Sequence, residues 1–133
     1  MISKKLQHLF LLSIILWIAH GIEELATGFS NVDPQVKVMF GFAEKFTTLR
    51  VAFLVFQIVV WLILVGGYLL IHRRKVNLWL MVIPGFIMIY ELYHLYKVVE
   101  VSGYYPGLIT ALFFPVLAFF FWRELLKNFK VHG

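Results

Sequence analysis

The chain contains no cysteine, so it has neither a disulfide framework nor a thiolate metal site, and any metal it holds must be bound by histidine and carboxylate. Charge is nearly as scarce. Asp, Glu, Lys and Arg make up 14% of the 133 residues, against about 25% in an ordinary soluble domain. A soluble fold built from this composition would lack the polar residues to cover its surface. Polar linkers, internal repeats and low-complexity tracts are also missing, so residues 1–133 are expected to form a single integral membrane domain.

What the chain does have is apolar length: 62% of its residues are hydrophobic. Four runs, 6–25, 50–71, 77–99 and 107–126, each reach the ~20 residues that carry a helix across a ~30 Å hydrocarbon core. The fold class this predicts is all-α, a four-helix transmembrane bundle. The net charge of +5 does not point to nucleic acid, because the basic residues punctuate the ends of the apolar runs instead of forming one basic face. Lys4 and Lys5 precede the first run, Arg73, Arg74 and Lys75 link the second to the third, and Arg123, Lys127 and Lys130 follow the fourth. By the positive-inside rule both termini are cytoplasmic and the protein is a multi-pass protein of the cell membrane. Six acidic residues, Glu23, Glu24, Asp33, Glu44, Glu91 and Glu100, fall toward the opposite face. Lys4-Lys5 followed by an apolar stretch also suits a signal peptide, but Trp17-Ile18-Ala19 is a poor cleavage site and cleavage would leave an odd number of spans. An uncleaved first helix is therefore expected.

Between the first two runs, Gly28 is placed to cap a helix, and Asp33-Pro34 has the form of an N-cap followed by a first helical residue. Val36, Met39, Phe40, Ala43 and Phe46 recur at helical spacing, which predicts a short interfacial helix over 34–46, either a connector or a lid. In the second run Gln57 and Gly66-Gly67 interrupt the apolar sequence, and the glycines suggest close helix packing. Arg50 at its outer end is expected to anchor in the interface, with a pairing to Glu23 or Glu24 as the alternative. Pro84-Gly85 predicts a kink in the third span, and Pro115 a looser middle of the fourth. Tyr90, Tyr93 and Tyr96 are expected in an interfacial belt. Glu124 is expected to make only a surface contact with Arg123 or Lys127, and His8, His72 and His132 to be solvated.

The chemistry concentrates elsewhere. On a helix His20, Glu23 and Glu24 stand at i, i+3 and i+4 and share a face. Glu91 and His94 share a face of the third span, and Thr110 opens the fourth. Antiparallel traversal brings all six to one level in the outer third of the bilayer. Each ionisable group at such depth costs roughly 2.5–3.5 kcal/mol on insertion scales, so a cluster requires a partner, a metal or a function. Glu-x-x-His on a bundle helix is a metal-ligand spacing, and His20, Glu23, Glu91 and His94 are candidate ligands for zinc, iron or manganese. A mononuclear site is the economical form, because the second span offers no carboxylate at this level. Metal-free proton transfer by the same His and Glu residues is the alternative, with no cofactor. A purely structural ion-paired network that also draws in Arg50 and Lys97 is a third. The candidate catalytic set is His20, Glu23, Glu24, Glu91, His94 and Thr110. The expected substrate is a lipid or other apolar molecule that enters laterally from the outer leaflet. A proton-coupled small transporter and a non-catalytic membrane partner subunit, packed through Gly66-Gly67, remain the other functional classes.

His20-Gly21-Ile22-Glu23-Glu24, His94 and Gly107-Leu108-Ile109-Thr110 together resemble the HXXEE family of small multi-span prokaryotic membrane proteins. In that family an Asn-x-x-x-His element and a Gly-x-x-Thr element accompany the named motif. Here Gly107 and Thr110 match the last element, and His94 matches the second, whose first position is Tyr90 instead of Asn. The resemblance covers nearly the whole chain and implies the site, whereas the family has no established activity and enzymatic function is only presumed for it.

Overall fold

The computed structural model describes residues 2–73 and 77–132. Arg74 and Lys75 of the basic link, and the side chain of His132, lie outside the described residues. The elements are α1 (Lys4–Thr27), α2 (Phe29–Val32), α3 (Pro34–Phe40), α4 (Leu49–His72), α5 (Val82–Tyr90), α6 (Leu92–Val101), α7 (Leu108–Ala111) and α8 (Phe114–His132), with single turns of 3₁₀ helix at Gly41–Lys45 and Leu78–Met81. Four stretches are long and apolar enough to cross a membrane: Lys4–Thr27, Leu49–His72, Leu78–Val101 and Leu108–Val131.

Local sequence sets where these elements start and stop. Ser3 accepts the Leu6 N–H and caps α1, and Gly28 ends it in the left-handed region at φ +81°, its own N–H returning to the Glu24 carbonyl. Asp33 caps α3 through the Gln35 N–H, with Pro34 in the first helical position. The segment after the cap is only part α-helix, changing to 3₁₀ at Gly41, and it exposes Val38, Phe42 and Phe46. The third and fourth spans are both interrupted. The third starts as 3₁₀, enters α5 just before Pro84, and breaks again at Glu91. Pro84 itself lies inside the continuous α5, and the break comes at Glu91, one turn below His94. The fourth breaks between Ala111 and Phe114, where Pro115 has no N–H to continue the ladder from α7.

α1 is central, packing against α4 on one side and α8 on the other, and α5 packs against α8. Among the described residues α4 and α5 do not pack closely on each other, although they follow one another in the chain. α3 lies against α4 above the resulting seam. Gly66-Gly67 does not mediate close packing between helices of this chain: a Cβ on Gly66 would meet nothing within 4 Å, and one on Gly67 would make only ordinary contact with Phe10. The close approach of α1 to α4 is at Gly21, where a Cβ would lie 2.9 Å from both Gln57 Oε1 and Trp61 Cζ2. At the far end Glu124 is buried, not a surface residue. It accepts from Ser3 Oγ at 3.0 Å, beside an Asn128 that accepts the Ser3 N–H at 2.8 Å. This clasp holds the start of α1 on α8.

Candidate metal centre

His20 from α1 and His94 from α6 meet with their Nε2 atoms 3.2 Å apart and their rings edge to face. Glu91 Oε2 lies 3.1 Å from His20 Nε2 and 3.5 Å from His94 Nε2. Glu24 Oε1 lies 3.5 and 3.2 Å from the same two nitrogens. Both histidines and Glu24 are buried, and Glu91 nearly so. Each carboxylate therefore touches both imidazoles.

The outer ring nitrogens define the tautomers. His94 Nδ1 is 2.8 Å from the Pro106 carbonyl, which can only accept, so Nδ1 carries a hydrogen. His20 Nδ1 is 2.7 Å from Thr110 Oγ1, and that hydroxyl donates its hydrogen to Glu23 Oε2 at 2.6 Å. Thr110 is then left to accept, and His20 Nδ1 is also a donor. In the neutral rings both Nε2 atoms are lone pairs, pointed at each other and at two carboxylate oxygens. Four acceptors in contact repel unless a cation sits among them. No Lys or Arg among the described residues supplies it. Lys97 pairs with Glu100, and Arg50 reaches only the Leu25 carbonyl, at 3.4 Å.

The donor set fits a metal. His20, Glu91 and His94 offer ligand atoms within 4.8 Å of one another, and their triangle has edges of 3.1, 3.2 and 3.5 Å. A tetrahedral ion with bonds of about 2.0–2.1 Å separates its ligands by about 3.3–3.4 Å. Glu24 forms a second triangle on the same two nitrogens, its other oxygen held by Gln57 Nε2 at 2.8 Å. Two imidazoles and carboxylates suit zinc, manganese or iron. The outer partners are those a metal-bound histidine needs, a carbonyl on one ring and a hydroxyl backed by a carboxylate on the other.

Glu23 is placed differently from Glu24. Its Oε1 accepts from the Ile109 N–H and the Tyr104 hydroxyl, and its Oε2 from the Thr110 N–H and hydroxyl. It occupies the start of α7, where free backbone N–H groups favour an anion, and reaches His20 only through Thr110. Of the six residues expected at one level, four converge directly and two, Glu23 and Thr110, support them from behind. Sequence reasoning did not assign Gln57 or Gly107 to the site. Gly107 sits at φ +88°, and a Cβ there would be 2.8 Å from the Cε1 atoms of both His20 and His94. Only glycine allows this turn to close over the two rings. The signals were present, a lone amide in an apolar span and a glycine three residues before Thr110.

Beside the cluster lies a cavity of about 300 Å³ in the seam between α4 and α5, its walls apolar apart from Gln35, Gln57, Tyr90 and Tyr93. α3 covers its outer end, with Tyr90 of the third span donating to Gln35 across the mouth. Asp33, under this cover, accepts from the hydroxyls of Tyr93 and Tyr105. Burial, and then the Asp33 carboxylate, hold the Tyr105 phenol well above its ordinary pKa.

The fold and this cluster define a class: small helical proteins with four helices long and apolar enough to cross a membrane and a histidine–carboxylate cluster between them. The model of the HXXEE family, described as a protein of unknown function with HXXEE motif, matches residues 11–122, and the chain belongs to that family. No curated protein and no solved structure matches it.

Proposed function

We propose that this protein is a metal-dependent enzyme of the cell membrane, with both termini cytoplasmic, that acts on a lipid or other apolar substrate entering from the outer leaflet. The observation that carries the reading is the convergence of four acceptor atoms, from His20, Glu24, Glu91 and His94, with both Nδ1 hydrogens committed elsewhere. His20, Glu91 and His94 would hold the ion, with Glu24 as the fourth ligand or as a base released by substrate. A bound divalent metal supplies Lewis-acid polarisation of a carbonyl or phosphoryl oxygen, or a water acidic enough to attack at neutral pH. The chain's own groups do the rest. Thr110 and Glu23 orient His20, the Pro106 carbonyl orients His94, and Gln57 fixes Glu24. The apolar walls exclude bulk water, which strengthens each of these interactions. A transporter is less well supported, because the cavity continues from Gln57 along Val60, Trp61 and Leu64, which offer no ionisable relay.

The test is elemental analysis of the detergent-purified chain beside His20→Ala and His94→Ala. Near-stoichiometric zinc, iron or manganese in the wild type, lost in both variants, is the expected result. A metal-free wild type purified without chelators would leave two imidazolium–carboxylate pairs and acid/base chemistry instead.

A further inference from the structure

The position of the cavity relative to the cluster carries information about what fills it. Along α4 the lining runs from Phe53 through Gln57 to Leu64. Gln57 marks the level of the cluster through its bond to Glu24. Leu64 is seven residues further on, about 10 Å along the axis, and lies beyond the middle of a span that runs from Leu49 to His72. Trp17 of α1 lines the same inner extension, one turn from His20. In the other direction the space is closed by Val36 and Phe40 of α3, packed around Phe53. The site thus has its polar end nearer the outer end of the bundle and an apolar slot running past mid-span to Leu64. That is the orientation of a lipid in the outer leaflet, head outward and tail inward, so such a molecule can pass sideways through the seam without turning over. The volume, about 300 Å³, is at the lower end of the 300–1,000 Å³ usual for ligand sites, which is small for two chains.

Resting on the reading of the His/Glu cluster as the reacting end, we infer that the substrate is a single-chain amphiphile, an acyl or prenyl chain with an oxygen-bearing head. The head binds at His20, Glu24, Glu91 and His94, and the tail lies in the slot that ends at Leu64. Two-chain phospholipids are excluded.

The test uses hexanoyl and lauroyl hydroxamic acids, whose head chelates metals, together with lauric acid and dilauroyl phosphatidate, on the full chain in detergent. Binding is read by native mass spectrometry, and metal content is measured on the same samples. Wild type should prefer the lauroyl to the hexanoyl compound. Leu64→Trp, which fills the far end, should weaken lauroyl hydroxamate roughly tenfold or more, as overpacking does, while leaving the hexanoyl compound within about twofold and metal content unchanged. Val55→Trp, on the exposed side of α4, should change neither. Leu64→Ala, which lengthens the slot and does not depend on accommodating a larger ring, should move the preference toward palmitoyl hydroxamate. Equal effects of Leu64→Trp on short and long chains, no effect on either, or phosphatidate binding as tightly as the lauroyl compound would overturn the inference. Should the wild type contain no metal while lauric acid still shows the Leu64→Trp discrimination, the metal reading fails and the single-chain reading stands.

Discussion

The two halves of the bundle are built on different terms. The half nearer the chain termini, here called inner, is a continuous apolar core, Leu6, Phe10 and Ile14 of α1 against Phe121 and Leu125 of α8, closed by the Ser3–Glu124–Asn128 clasp. The outer half has a smaller apolar cluster, Phe29, Val36, Phe53 and Tyr105, set around polar groups, and there the third and fourth spans break. Both breaks fall beside the cluster, at Glu91 and just after Ala111. α1 and α8 run as regular helix through the apolar half, and interrupted helix serves geometry in the other. The site takes its backbone partners from the turn that opens the fourth span, where a helix start leaves such groups free: the Ile109 and Thr110 N–H groups on Glu23 and the Pro106 carbonyl on His94.

Substitutions can separate the two halves. Gly107→Ala should have the largest effect, because it places a methyl against both imidazoles at a positive φ that costs a non-glycine residue about 1–3 kcal/mol. Metal should be lost, as measured by elemental analysis, with a lowered melting temperature in detergent. Phe121→Ala in the inner core should lower stability by on the order of 2 kcal/mol, since detergent or lipid offsets the transfer term and leaves mainly lost packing. Metal content should stay at the wild-type level, and a loss of metal there would show that the halves are coupled. Thr110→Val should do the reverse, weakening metal affinity about tenfold to a hundredfold through the loss of the partner on His20 Nδ1, with little change in melting and with recovery in Thr110→Ser. A competition titration against a chelator measures it.

The smallest effect concerns the cover. Tyr105 is held above its ordinary pKa in the folded state, so the stability it contributes is fully present below about pH 10 and is lost as pH rises toward the folded value. Tyr105→Phe should remove the Asp33 bond, at about 1 kcal/mol, and flatten the alkaline fall in melting temperature. An unchanged alkaline slope would show that Tyr105 is not the group responsible.

Much of this arrangement was readable from residue spacing. Run length and composition define the four spans, Asp33-Pro34 the start of α3, and antiparallel traversal the shared level of His20, Glu91, His94 and Thr110. The division of labour between Glu23 and Glu24 was not readable. Adjacent residues on a helix point about 100° apart, and which one met the imidazoles depended on where α7 brought its free N–H groups. Gly66-Gly67 misled for a related reason: small residues permit close approach but do not require it, and here the neighbour comes near at Gly21 instead. The burial of Glu124 followed from Ser3 and Asn128, 121 and four residues away in sequence, a pairing that no local pattern signals.

The open seam between α4 and α5 has a further implication. Successive spans joined by a short link usually lean on each other, and here the space between them holds the cavity and a thin cover tied down by Tyr90 on Gln35 and by Tyr93 and Tyr105 on Asp33. A single-chain molecule of the kind proposed for that cavity would also serve as building material, standing in for a missing helix contact. On that proposal its abundance would set the rigidity of the protein as well as the occupancy of its site, and delipidation during purification would remove part of the architecture.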